Sequence, residues 1–201
     1  MEFILLLVSS LLLTARAAAS NPVLDVDGNE LRRGHLYYAS SVRRPGGGLT
    51  LAAPNASCPL NVAQAPFYDY SGRPLAFFPE NADDDTVQEG STLYIMFPEP
   101  TACPQSTVWT LDREAGFVTT GGTTSSAIGP HNSRFAIRKA GDAYQVKVCP
   151  CSTGVHQGSC RMGCVGSLGL IKAGESVLLG TNSERPHTIM FVKVKQATAT
   201  R

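Results

Sequence analysis

Six cysteines, Cys58, Cys103, Cys149, Cys151, Cys160 and Cys164, follow an N-terminal segment with the grammar of an export signal. An even cysteine count in an exported chain points to a disulfide framework, whereas the same residues in a reducing compartment would suggest a metal site. After Glu2 the run from Phe3 to Leu13 carries no charge, and Arg16 and the small residues Ala17, Ala18, Ala19 and Ser20 follow. An apolar core ending in small residues reads as a cleaved signal peptide over residues 1–19, with cleavage near Ala19 or Ser20. The run is too short to span a bilayer comfortably as an anchor. The expected mature chain, residues 20–201, is long enough for one domain with a real core.

The mature chain reads as all-β. Val146 and Val148 alternate with Gln145 and Lys147, and Phe135 and Ile137 with Arg134 and Arg138. Met190, Val192 and Val194 alternate with Lys193 and Lys195. A period of two marks half-buried strands. Leu36–Tyr38, Gly48–Leu51, Leu93–Phe97 and Val108–Leu111 add strand candidates. Asp27-Gly28, Pro45–Gly48, Glu89-Gly90, Gly121-Gly122 and Ala173-Gly174 supply the turns between them. Many short strands with closely spaced turns mean a barrel or a sandwich. Charges are few and balanced, 17 basic against 16 acidic. No basic stripe offers a nucleic-acid surface, and no later apolar run is long enough to cross a membrane. Asn55-Ala56-Ser57 is a glycosylation sequon beside Cys58.

Val23-Leu24-Asp25-Val26-Asp27-Gly28-Asn29-Glu30-Leu31, with Gly34 and Tyr37-Tyr38 behind it, resembles the opening of the plant Kunitz family, the soybean trypsin inhibitor type. Gly46–Leu49, Cys58-Pro59-Leu60, Ser106–Trp109, Phe135-Ala136-Ile137 and Tyr144–Pro150 agree in order. The segment Arg73–Asn81 is most similar to the miraculin-like branch. The resemblance implies a twelve-stranded β-trefoil with lobes at roughly residues 21–78, 79–138 and 139–201. It implies Cys58–Cys103, and nested Cys149–Cys164 and Cys151–Cys160 pairs. Cys151–Cys160 departs from the family's usual spacing. The competing reading of the last four cysteines, a zinc site with His156 nearby, fits the usual ligand spacings poorly.

The resemblance also implies function. Kunitz inhibitors insert a rigid convex loop into a protease cleft, here Pro79-Glu80-Asn81-Ala82-Asp83-Asp84-Asp85, ending at Thr86. The loop lies inside the span closed by Cys58–Cys103, which is expected to brace its base. Counting from Pro79 puts Asn81 at the primary contact, and counting back from Glu89-Gly90 puts Asp83 there, because the loop is about two residues longer than in the soybean type. Neither is the cation that trypsin's acidic pocket requires. Arg33 stands where the family uses an asparagine to support the loop, and could bond its carbonyls or pair with Asp83–Asp85. Gly121–Ser126 and Ser152–Gly158 are further loops that could reach a papain-like cleft. Arg43-Arg44 is a small basic spot.

No nucleophile elbow or zinc-protease helix appears, and the four histidines are scattered. The single tryptophan, Trp109, reads as core rather than as a lectin's repeated sugar platform. The expectation is a secreted, defence-related inhibitor and not an enzyme, without cofactor, monomeric, and located in the extracellular space, apoplast or vacuole. Its expected partner is a cysteine or non-tryptic serine protease rather than trypsin. The alternatives are a non-inhibitory miraculin-like binding or storage protein, or an α-amylase inhibitor.

Overall fold

Glycine turns cut the chain's β-branched and aromatic runs into short strands. The computed structural model describes residues 21–43, 46–54, 56–124, 133–149 and 164–195, and among these no helix occurs. In chain order the strands are β1 (Leu36–Ser41), β2 (Leu49–Ala52), β3 (Asn61–Gln64), β4 (Leu75–Pro79), β5 (Thr92–Met96), β6 (Thr110–Leu111) and β7 (Val118–Thr119). Then come β8 (Phe135–Ala140), β9 (Ala143–Val148), β10 (Val165–Ser167), β11 (Gly169–Ala173), β12 (Ser176–Gly180) and β13 (Ile189–Lys193).

Six of them close a ring. Antiparallel pairings run from β1 to β4, β5, β8, β9, β13 and back to β1. Closure removes the exposed edges that an open sheet would leave. The remaining strands form three hairpins, β2–β3, β6–β7 and β11–β12, which meet over one mouth of the barrel. β3 bonds to both β12 and β7, and a Phe117–Gly180 bridge joins the third side. Three repeats of two barrel strands around one hairpin make a β-trefoil. Thirteen segments arise from twelve strands because β10 and β11 are one strand interrupted at buried Leu168. Its first half pairs with β9 in the barrel, and its second half with β12 in the cap.

The barrel is filled by aromatic rings. Phe77 packs edge-on against Phe191 with centroids 5.3 Å apart, and Trp109 does the same against Phe135 at 5.8 Å. Such pairs add directional attraction to a large buried area. Strand β13 presents the opposite face from the one its sequence suggested. Ile189 and Phe191 are buried and Met190 is exposed. The Val/Lys alternation belongs to the strand's exit from the barrel, where Val192 is half-buried and Lys193 exposed. Arg134, read as the polar partner in an alternating run, is also buried.

Cys58 is bonded to Cys103 and Cys149 to Cys164. The second bond leaves neither of its sulfurs free as a thiolate for the zinc reading. The first joins residues 45 apart, and loop entropy alone makes that worth about 4 kcal/mol. The signal segment, the Asn55 sequon, the Cys151–Cys160 pair, loop 152–158 and the end of loop 121–126 lie outside the described residues.

Candidate functional site

The β4–β5 connection leaves the barrel at Pro79 and returns at Thr92, away from the hairpin cap. Asn81, Ala82, Asp83 and Asp85 are exposed, Glu80, Asp84 and Thr86 are half-buried, and Pro79 and Val87 are buried at the two feet. The apex is a turn built by Asn81. Its carbonyl accepts from Asp84 N at 3.2 Å, and its amide Nδ2 donates to Asp84 Oδ1 at 3.1 Å. Its Oδ1 accepts weakly from Asp83 N at 3.4 Å. Asn and Asp side chains commonly replace backbone partners in this way. Asn81 is therefore turned into the loop, whereas Ala82 and Asp83 project from it.

Arg33 supports this turn from behind. Its Nη2 donates to Pro79 O at 2.9 Å and Asn81 O at 2.5 Å, and its Nε donates to Asp84 O at 3.0 Å. The planar guanidinium presents several donors in a fixed fork, so one side chain spans carbonyls on both limbs. It bonds the carbonyls and forms no ion pair with Asp83, Asp84 or Asp85. The N-terminal segment runs antiparallel to the outgoing limb. Arg33 N donates to Asp85 O at 2.8 Å, Val87 N to Leu31 O at 2.9 Å, and Val23 N to Val87 O at 2.9 Å. Thr86 Oγ1 reaches Glu30 Oε2 at 3.3 Å.

Glu80 sits in the loop's sequence but faces inward. Its N donates to Thr92 O at 2.9 Å, closing the neck of the loop. Its Oε1 accepts from Arg134 Nε at 2.6 Å and from Tyr94 OH at 3.4 Å. Arg134 also lies over the Tyr94 ring, 6.0 Å from its centroid. Burial holds the Tyr94 phenol above its ordinary pKa, so it remains a hydroxyl donor. The disulfide does not brace this base. β5 runs from Thr92 at the neck to Met96, and the chain reaches Cys103 only beyond that far end. The support at the neck is non-covalent.

A family model described as trypsin and protease inhibitor, of the Kunitz legume type, matches residues 23–193. The chain belongs to this Kunitz family. It is 80% identical over 183 residues to a trypsin/chymotrypsin inhibitor of Alocasia macrorrhizos, covering 88% of this chain and 100% of that one. Miraculin of Synsepalum dulcificum is 41% identical over 79% of this chain and 77% of its own. The crystal structure of alocasin, a protease inhibitor from giant taro, superposes with a TM-score of 0.78 at 81% identity, covering 87% of this chain and 100% of that one. A bifunctional trypsin/amylase inhibitor from Alocasia macrorrhiza tubers superposes with a TM-score of 0.69 at 52% identity, over 88% of this chain and 100% of that one.

The family model and the 80% identical relative are described as inhibitors and not as enzymes. Sequence reasoning placed Arg33 behind it but missed the Glu80–Arg134–Tyr94 cluster. These residues are 54 and 14 positions from Glu80 in sequence, and only barrel closure brings them together. The available signal was an arginine directly before the buried Phe135-Ala136-Ile137 run, a place where a lone charge needs a partner. His187, one of the four scattered histidines, is buried with no hydrogen-bond partner for its Nε2. Burial, with nearby Arg43, lowers its pKa from 6.5 to about 4.

Proposed function

We propose that this Kunitz inhibitor blocks a non-tryptic serine protease through the apex Asn81–Asp85. The observation that carries this reading is the Arg33 clamp, three donors from one side chain onto the carbonyls of Pro79, Asn81 and Asp84. A loop fixed before docking loses little entropy on binding, which is how a substrate-like segment becomes an inhibitor. The relative named as a trypsin/chymotrypsin inhibitor favours serine proteases over the papain-like class. Loop chemistry argues against trypsin at this site, since residues 79–86 hold no Lys or Arg and three aspartates. An acidic pocket repels such a loop, while a small or polar-tolerant pocket does not. The fold of Asn81 into its own turn favours Asp83 over Asn81 as the projecting residue.

The export signal and paired cysteines favour secretion, to the extracellular space, apoplast or vacuole, and a defence role suits an inhibitor released there. The exposed flanks of Asn55, Pro54 and Ala56–Ser57, suit a glycan. A monomer serves this mode of docking. α-Amylase inhibition is a second reading, favoured by the trypsin/amylase inhibitor that is 52% identical.

The deciding experiment is an inhibition panel of subtilisin, elastase, chymotrypsin, trypsin, papain and α-amylase, run on the native protein, Asn81→Arg and Asp83→Arg. Native protein should inhibit a non-tryptic serine protease at nanomolar concentration, and Asp83→Arg should gain trypsin inhibition by at least tenfold more than Asn81→Arg. Absence of inhibition of every protease at micromolar concentration would overturn the proposal.

A further inference from the structure

The connection between β3 and β4 carries an aromatic cluster that the loop at residues 79–86 does not use. Phe67 is 69% exposed, Tyr68 64% and Tyr70 50%, all within four residues of one turn. Large apolar rings held in water at such density mark an interaction surface, and Phe and Tyr are enriched where proteins meet.

This turn is not a loose connector. Tyr70 N donates to Phe67 O at 3.1 Å, closing it. Its base lies backbone to backbone on the glycine run before β2. Gly47 N donates to Ala65 O at 2.8 Å, Ala65 N to Gly48 O at 2.9 Å, Gly48 N to Tyr70 O at 2.9 Å, and Arg73 N to Leu49 O at 2.8 Å. A side chain at Gly47 would collide with the carbonyls of Phe67 and Tyr70, and one at Gly48 with that of Ser71. Gly72 adopts a φ of +85° with its open side against Leu49 O. The glycine run is thus a bare platform that only glycine can provide. Arg73 closes the exit with both Nε and Nη2 on Glu99 Oε2, at 3.1 and 2.9 Å.

We infer that residues 66–71 form a second protease-contact surface, with Phe67 as the anchor for the apolar pocket of a chymotrypsin-like enzyme. This rests on the reading of the chain as a serine protease inhibitor. A chymotrypsin-type pocket is a hydrophobic slot that accepts an aromatic ring. The apex at residues 80–86 offers no aromatic side chain to such a slot, whereas Phe67 offers one on a turn already fixed for docking. The two surfaces are separate: they lie at opposite ends of β4, whose strand rise alone sets them about 14 Å apart.

The test is inhibition of chymotrypsin and elastase by native protein, Phe67→Ala and Phe67→Tyr, with thermal melting of each. Phe67 is exposed, so its variants should melt like the native protein. Phe67→Ala should weaken chymotrypsin inhibition at least thirtyfold, about 2 kcal/mol, and leave elastase inhibition unchanged. Phe67→Tyr should restore chymotrypsin inhibition. Native inhibition of chymotrypsin that survives Phe67→Ala overturns the inference while leaving the inhibitor reading intact. Failure of native protein to inhibit chymotrypsin also overturns it. Loss in Phe67→Ala accompanied by a lowered melting temperature assigns the ring a structural role and overturns it too.

Discussion

Replacing Arg33 by alanine removes three donors from the back of the loop while leaving the Arg33 N to Asp85 O bond in place. Charge-assisted hydrogen bonds contribute about 1.5–3 kcal/mol each when shielded. This side chain is half-buried, so water replaces part of each bond, and about 0.7 kcal/mol apiece is the reasonable net figure. The total is about 2 kcal/mol. Because the clamp acts mainly on the apex, most of that free energy should appear as loop disorder. Ordering the loop again on docking then weakens inhibition about thirtyfold. Lysine keeps the charge but is a single point donor, so Arg33→Lys should recover only part of the loss. The assay pairs the inhibition constant for the most tightly bound protease with the rate at which excess protease cleaves the chain between Pro79 and Thr86. Both should move together in Arg33→Ala. An unchanged inhibition constant with unchanged cleavage would refute the idea that Arg33 pre-organises the loop.

Three further outcomes follow from the same geometry. Replacing Cys58 and Cys103 by serine should lower stability by about 4 kcal/mol, read by urea unfolding, yet leave the inhibition constant at room temperature nearly unchanged, since the bond lies beyond the far end of β5 from the loop. Glu80→Gln removes the anion from buried Arg134 and should cost about 2 kcal/mol in the same assay, with loop cleavage accelerated because the neck loosens. His187 has a folded pKa near 4 against 6.5 unfolded, so the unfolded chain binds its proton first. The stability it contributes is therefore full above pH 6.5 and lost as pH falls towards 4, by about 3 kcal/mol. His187→Phe should flatten the pH profile of unfolding by that amount over that window; an identical profile would exclude His187 as its source.

The barrel was legible where a strand keeps one face in the core along its whole length. β9 does so, with Tyr144, Val146 and Val148 inside and Gln145 and Lys147 half-covered. It was illegible where a strand changes environment partway. β8 begins with three consecutive buried residues because it enters a closed mouth, then turns its last charges to water. β13 likewise starts with buried Ile189 and Phe191 and ends at exposed Lys193, so a pattern counted from its exposed end named the wrong face. The interruption at Leu168 has no periodic signature at all, because the chain there moves from the barrel to the cap. Periodicity also left barrel and sandwich open. The choice of trefoil came from the resemblance in ordered motifs, not from the strands.

The candidate loop shows the same division at a smaller scale. Its position and the place of Arg33 behind it were legible, because both are local offsets along recognisable segments. The partners that hold the neck were not, because Glu80, Tyr94 and Arg134 come from three strands or strand ends that meet only after barrel closure. Each of the two exposed turns at the ends of β4 owes its shape to a distant segment: one to the guanidinium of Arg33, the other to the bare backbone of Gly46–Gly48. In each, the side chain proposed to meet the partner, Asp83 in one and Phe67 in the other, is exposed. Asp83 and Phe67 should change without loss of either turn, whereas Arg33 and Gly48 should not. A scaffold built in this way separates the choice of partner from the maintenance of fold. That separation is the physical reason one trefoil can present an acidic apex at one end of a strand and an aromatic turn at the other.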